Sequence, residues 1–507
     1  MSASANPRVE LRVGDLFRRN AHDVPDRPAA SLGSAVLTHG ELDAAATRIA
    51  TALQERGARA GERVLVFANT SLEVLALFAA TSKRGLVFAP LDGRLSLDEA
   101  RVLAEVARPH RVVVADPARR EVAREVAAGC GAELAVLGRL DEDSDPAALL
   151  APRASTWDAV DTAVRETDPH VMFFTSGSTG RPKAVVISHR ASWLRSFQGV
   201  FRDVPESSVC MFPLFHMAGF TLALAAWQTR GELALVTQAS AEALLETTSR
   251  RRATRLYCIP SVWHRILDAS DVSRYDTRSL RELDTGTSAT PIELIRALKE
   301  RFPGTSTRIY YGSTEVGCAA ALPDADALRK PGSVGLAAPG VELRLSEAGE
   351  ICVRSPFLMD GYFEDPEATA AVLRDGWFHT GDLGERDAEG YLQVTGRIKD
   401  VIRTGGESVT PGEVEALLAR HPDVAEVAVV GVPDMQWGEI VCAVIVPARG
   451  RAPTLADLQK HCESRLAPFK KPRRLELVDA LPRTAATNQV QRALLVQQLL
   501  ARPAGRP

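Results

Sequence analysis

The 507-residue sequence has no apolar run that would cross a bilayer; the segments at 63–80 and 219–228 are broken by polar residues or too short. Its opening, MSASANPRVELRVGDLFRRN, carries charge where a secretory leader needs an apolar stretch, so a cytosolic protein is expected. The seven cysteines stand singly at 130, 210, 258, 318, 352, 442 and 462, with no CxxC pair and no His-rich neighbour. That spacing argues against a disulfide framework or a structural zinc site and predicts buried free thiols in a reducing compartment. Neither sign of charge dominates: 61 basic against 64 acidic residues give a net charge of −3, which argues against nucleic acid as a partner. Lysine is scarce beside arginine, and none follows Lys471. The final stretch, Leu481-Pro-Arg-Thr-Ala-Ala-Thr-Asn-Gln489-Val-Gln-Arg492, therefore has no lysine at all.

What is present is the composition of a soluble globular protein, 45% hydrophobic and 25% charged, and a length that calls for more than one packed unit. From about residue 30 to 300, β-rich runs (63–67, 86–90, 111–115, 233–236) alternate with helical patterns (72–83, 97–106). Such alternation predicts an α/β class with parallel layers. Between about 340 and 395 short strands with Gly/Asp turns (341–345, 350–353, 390–394) predict a β-rich subdomain. A change of unit is expected near Gly396-Arg-Ile-Lys-Asp400. Beyond it come a helix (411–420), two strands (424–430, 440–447) and a second helix (454–464), a small α+β domain.

The segment Phe174-Thr-Ser-Gly-Ser-Thr-Gly-Arg-Pro-Lys183 follows an apolar strand. Its small residues permit tight turns and offer N–H and hydroxyl donors of the kind a polyphosphate requires, although the Walker spacing is absent. Four further segments follow in order: Tyr310-Tyr-Gly-Ser-Thr-Glu315, Lys330-Pro-Gly-Ser-Val-Gly335, Asp375-Gly-Trp-Phe-His-Thr-Gly-Asp382, and Gly396-Arg-Ile-Lys-Asp-Val-Ile-Arg-Thr-Gly-Gly-Glu407. Together they closely resemble the adenylate-forming superfamily of acyl- and aryl-CoA synthetases, luciferases and peptide-synthetase adenylation domains. The resemblance spans about residues 30 to 495 and lies nearest the acyl-CoA ligase branch.

It implies a large N-terminal AMP-binding domain (1–396) of several α/β layers, a hinge (397–400) at Lys399, and a small mobile α+β domain (401–507). It also implies that Thr175, Ser176, Gly177, Ser178, Thr179, Gly180 and Lys183 hold the β- and γ-phosphates of ATP. Tyr311 would stack on adenine beside Tyr310 and Gly312, with Gly286, Thr287, Ser288 and Ala289 as the facing wall; the family more often has Gly, then Gly or Ala, then Ala-Pro there. Thr314 would meet the α-phosphate and Glu315 would hold Mg²⁺, a carboxylate for a hard cation. Asp382 would accept from both ribose hydroxyls, with Arg397 nearby. Pro213-Leu-Phe-His-Met-Ala-Gly-Phe220 resembles the acyl-pocket segment: His216 would sit at the carboxylate or gate the acyl entrance, and Met217, Gly219, Phe220 and Leu222 suit an apolar acyl or aryl group. The aspartate with which amino-acid adenylation domains bind an α-ammonium group is missing. Gly405, Gly406 and Glu407 would line the entry of a CoA thiol, or of a carrier protein's pantetheine.

The resemblance is close up to Thr484, after which the family continues Ala-x-Gly-Lys. Here Ala485-Ala-Thr-Asn-Gln489 intervenes, with one extra residue and with Gln489 in the lysine's place. That lysine would neutralise charge as the carboxylate attacks the α-phosphate, and losing such a donor costs about two to three orders of magnitude, roughly 3–4 kcal/mol. Adenylation is therefore expected to be weak or lost. Thioester formation from acyl-AMP, for which the small domain turns away, is expected to be spared, and such a chain would need a separate adenylating enzyme. A full ligase with a substitute cation and a non-catalytic acyl-nucleotide binder are the alternatives.

Overall fold

The computed structural model describes residues 9–140, 147–152, 161, 163–175, 182–197, 205–269, 272–463, 465–484 and 488–501. The chain divides into two compact units. The first comprises 1–332, 337–342 and 354–378; the second comprises 333–336, 343–353 and 379–507.

The first unit carries two sheets. One has the strand order 361–362, 183–188, 169–175, 87–92, 63–68, 111–114, 133–136, parallel from 169–175 onward. Strand 183–188 is antiparallel to 169–175, which places a hairpin at the Gly/Ser-rich loop. The other orders strands 35–38, 28–32, 232–235, 207–210, 255–257, 282–286, 306–313 and 317–322, parallel except for its outermost pairs. Central strands such as Arg63-Val-Leu-Val-Phe-Ala68 are continuous apolar runs because helices cover both faces of a parallel sheet.

Helix Leu72–Arg84 shows why the layers stay together. Ser71 caps its start by accepting from Val74 N–H, and Gly85 ends it at φ +62°. Nearly every side chain in between is buried: the run Val74–Ala80 is apolar all round, and the polar last turn, Thr81–Arg84, is buried with it. Phe78 packs on Phe88 of one sheet (ring centroids 5.4 Å apart) and on Phe220 (4.6 Å) of helix Met217–Gln228. Lys83, with no solvent exposure, is retained there by an ion pair to Asp43 and a 3.0 Å bond to Thr47.

In the second unit strands Val424–Asp434 and Gly438–Pro447 form a long antiparallel ribbon, extended by 402–404, 407–409 and the parallel strand Arg474–Leu477. Alternation along the ribbon feeds two cores. Val429, Val441, Ala443 and Ile445 pack with helices 411–418 and 455–461, whereas Val430, Val432, Cys442 and Val444 pack with Leu495 and Leu499 of helix Arg492–Ala501. The seven cysteines are free thiols, with Cys130 and Cys318 half-buried and the others buried. Among the described residues no helix is long and apolar enough to cross a membrane.

Candidate active site

In the first unit, strand 282–286 runs parallel to 306–313 with Gly286 opposite Tyr310. A Cβ on Gly286 would lie 2.4 Å from the Tyr310 carbonyl, so only glycine allows the two strand ends to approach. Gly312 is fixed the same way, since its Cβ would fall 1.8 Å from the carbonyl of Gly317. Thr287 follows at φ +67°, a left-handed conformation that a β-branched residue rarely adopts. Tyr310 turns its phenol to Arg255 at 3.4 Å, and burial pushes its pKa up to about 12. Tyr311, the next residue, points to the opposite face of the strand and is half-buried. Behind Tyr310, Arg255 is buried with Glu206 at 3.1 Å and with Asp284 in direct contact. Burial pulls the guanidinium's pKa down, but those two carboxylates outweigh it and hold the pKa well above the usual value.

Glu315 has both carboxylate oxygens placed: Oε2 accepts from Ser313 Oγ at 2.8 Å, and Oε1 accepts from the phenol of Tyr362 at 3.2 Å. Burial, with Glu315 beside it, raises the pKa of that phenol, so it stays a donor. The ring's centroid is 4.4 Å from Lys183 Nζ, at the end of the hairpin opposite Thr175. Tyr362 thus joins the lysine expected at the phosphates to the carboxylate expected at the metal. Ser176, Gly177, Ser178, Thr179 and Gly180 lie outside the described residues. An oxygen-only donor such as Glu315, with lone pairs left after two hydrogen bonds, fits Mg²⁺.

His216 is the N-cap of helix Met217–Gln228: its Nδ1 accepts from Ala218 N–H at 3.2 Å, and its ring stacks on Phe212. Burial pulls its pKa down to about 4, so it is neutral near pH 7. Because Nδ1 is an acceptor, the proton sits on Nε2, and the imidazole can offer a hydrogen bond to an oxyanion. Met217 and Phe220 border a cavity of about 20 Å³, the size of a water molecule and far below an acyl chain. Phe220 is 2% exposed and also packs on Phe88 and Phe173, while Gly219 lies against the Pro213 carbonyl. Leu222 is buried.

In the second unit, Asp382 faces Arg397 across the strand pair, with Oδ1 2.9 Å from Nε. Its position is set from below. Thr380 Oγ1 donates to the Ile351 carbonyl and accepts from Asp382 N–H, while Glu350 accepts from Gly381 N–H at 3.0 Å and pairs with His379 at 2.8 Å. Lys399 is exposed on a short 3-10 turn, 398–400. Gly405 and Gly406, at φ +59° and +87°, make the two-residue turn of hairpin 402–409, with Glu407 exposed. Gly405 N–H donates to the Trp437 carbonyl at 2.8 Å, and Arg473 lies over the Trp437 ring.

Gln489 closes a turn with Thr484: its N–H donates to Thr484 Oγ1 at 3.1 Å, and Thr484 N–H donates back to its carbonyl at 2.8 Å. Asn488 sits there at φ +55°. The two arginines that flank the turn are engaged. Arg483 binds Glu426 at 2.7 Å and the Asn488 carbonyl, and Arg492 binds both oxygens of Glu415, at 2.5 and 2.7 Å. No motif assigns Tyr362, Glu350 or Trp437 to the site. Their partners lie far along the chain, and no local spacing marks them.

Comparison with known proteins gives concordant findings. Residues 17–363 match the family model described as AMP-binding enzyme, and residues 413–487 match the AMP-binding enzyme C-terminal domain. The chain is 35% identical over 504 residues to an indoleacetate–CoA ligase of Aromatoleum aromaticum, covering 94% of this chain and 96% of that one. A feruloyl-CoA synthase of Amycolatopsis is 33% identical over 484 residues, covering 92% and 95%. Among solved structures, ATP-bound MatB from Rhodopseudomonas palustris superposes with a TM-score of 0.86 at 30% identity, covering 97% of this chain and 99% of that one. The o-succinylbenzoate CoA synthetase of Bacillus subtilis, in complex with its acyl-adenylate, gives 0.84 at 25% identity, covering 97% and 99%.

Proposed function

Because the chain belongs to the AMP-binding enzyme family, as an acid–thiol ligase of the CoA-ligase type, we propose that it transfers an acyl or aryl group from acyl-AMP to CoA and adenylates free acid only weakly. The observation that carries this reading is the turn at Gln489. No cation occupies the lysine's place in the sequence, and the neighbouring Arg483 and Arg492 are committed to Glu426 and Glu415. Recruiting either would leave a carboxylate without its partner. Arginine's planar fork is also a poor replacement for a compact ammonium.

Two reactions are at issue. In the first, a carboxylate oxygen attacks the α-phosphate of ATP and pyrophosphate leaves. In the second, the CoA thiol, losing its proton, attacks the acyl carbon and AMP leaves. For the second, the residues needed are those that bind and orient. Tyr311 and Gly286–Ala289 would hold the adenine, Asp382 would hold the ribose, and Thr314 would lie at the phosphate. The Nε2–H of His216 would donate to an oxygen of the acyl phosphate, and Gly405–Gly406 would admit the pantetheine arm. Mg²⁺ at Glu315, when bound, neutralises phosphate charge. The apolar Met217 and Phe220 favour a carboxylic acid without an α-ammonium group. A supplier of acyl-AMP and a cytoplasmic setting, which the seven free thiols suit, belong to this reading.

A paired assay across a panel of aryl and acyl acids tests it. One arm contains acid, ATP, Mg²⁺ and CoA; the other contains preformed acyl-AMP and CoA. Thioester in the second arm alone is the expected result. Comparable rates in both arms would mean a full ligase with another cation at work, and turnover in neither would mean a binder of acyl nucleotides. Replacing CoA with a pantetheinylated carrier protein separates the two acceptors.

A further inference from the structure

Arg195 lies on helix His189–Ser196, 6% exposed, and the sequence gives it no role. Its guanidinium reaches three chain segments distant in sequence. Nε donates to the Phe357 carbonyl at 2.8 Å, one terminal nitrogen donates to the Thr314 carbonyl at 2.8 Å and to Met217 Sδ at 3.2 Å, and the other donates to the Glu315 carbonyl at 2.9 Å. Four of the five N–H bonds of the fork are thereby used. The stem is equally confined, because a Cβ on Gly317, at φ +69°, would come within 3.1 Å of Arg195 Cγ. Burial lowers its pKa to about 10, with Glu315 and Asp360 opposing the shift, so the group is charged near pH 7.

We propose that Arg195 is a positioning residue that sets the backbone of Thr314 and Glu315 for the nucleotide phosphate and its metal ion. The carbonyls of 314 and 315 turn inward; without the guanidinium the Thr314 carbonyl would lose its donor, and the Glu315 carbonyl, which also accepts from Met359 N–H at 2.8 Å, would lose one of two. The turn would relieve that by rotating its peptide planes, and the Glu315 carboxylate, held among the described residues by Ser313 and Tyr362, would follow. The sulfur contact extends the same bracket to Met217, at the border of the small cavity beside Phe220. The arrangement is that of a residue behind a metal ligand, where substitution typically weakens metal binding about 10- to 100-fold.

This inference rests on the reading of Thr314 and Glu315 given above, and its test does not need turnover. The probe is Mn²⁺ with a non-hydrolysable ATP analogue, followed by electron paramagnetic resonance and by binding titration. Wild-type protein, Arg195→Met and Arg195→Lys are compared, each with its thermal midpoint. Lysine keeps the charge but cannot span three carbonyls, and it serves if the methionine variant does not fold. The expected result is at least tenfold weaker Mn²⁺–nucleotide binding in a folded variant, with the Mn²⁺ spectrum altered. Equal affinity with a lowered midpoint would overturn the proposal and leave Arg195 a purely structural residue. No Mn²⁺–nucleotide binding by the wild type would instead overturn the assignment of Glu315.

Discussion

Replacing Thr287 by glycine should stabilise the protein, and the reason lies in one backbone angle. Thr287 sits at φ +67° at the end of strand 282–286. A left-handed conformation costs an L-residue about 1–2 kcal/mol, and β-branching does not lessen it. Glycine removes that cost but gives the unfolded chain extra freedom worth about 0.5–1 kcal/mol. The net gain is about 0.5–1 kcal/mol. Thr287→Ala separates the backbone effect from whatever the hydroxyl contributes, because alanine lacks the hydroxyl yet retains the steric cost. The glycine variant is therefore expected to exceed the alanine variant by about 1 kcal/mol. Urea unfolding followed by tryptophan fluorescence reads the difference, with Trp227 and Trp263 buried in the first unit. The midpoint should move and the slope should not. An alanine variant as stable as the glycine variant would refute the argument that Thr287 is strained.

Gln489→Lys should raise the rate with free acid and ATP by about 100- to 1000-fold while leaving the reaction of acyl-AMP with CoA within a few-fold; an unchanged acid-dependent rate would show that the turn cannot present a lysine. Tyr362→Phe removes the donor to Glu315 Oε1 but keeps the ring under Lys183, so Mg²⁺ half-saturation should rise with little change in nucleotide affinity, measured by titration at fixed ATP. Acid should unfold the chain early. His39 and His189 are buried, and burial pulls their pKa values down to about 4 and about 3. Between about pH 6.5 and 4 the unfolded chain binds protons that the folded one does not, so each group withdraws up to about 1.4 kcal/mol per pH unit as pH falls. A denaturation midpoint flat from pH 7 to 4.5 would contradict this.

The alternation of apolar runs with helical patterns was enough to place the layers, because both signals are local. Leu72–Arg84 and Arg63–Ala68 fall within a residue of their predicted ends. Strand Leu392–Arg397 begins two residues later than its predicted start at Gly390, since Asp387 caps a turn by accepting from Glu389 and Tyr391 N–H and Gly390 takes φ +86°. Motif order was legible for the same reason: close backbone approach at Gly286 and Gly312 demands glycine and leaves a mark in the sequence. Tyr362 and Arg195 leave no such mark. One reaches Glu315 across 47 positions and the other across 120, and an isolated tyrosine or helix arginine looks like any other. The strain at Thr287 was legible only as a departure from the usual glycine or alanine.

The bond from Gly405 N–H to the Trp437 carbonyl, with Arg473 lying over that indole, also has a consequence for recombination. Hairpin 402–409 is latched to the long ribbon at the point where its two strands meet, so its tip belongs to the body of the second unit. A chimaera that exchanged residues 402–409 alone would set a foreign tip against the Trp437 ring, where a Cβ at position 405 would come within 2.7 Å. A graft that carries 402–409, 434–438 and Arg473 together moves a self-consistent cassette, and that set marks the sensible crossover points.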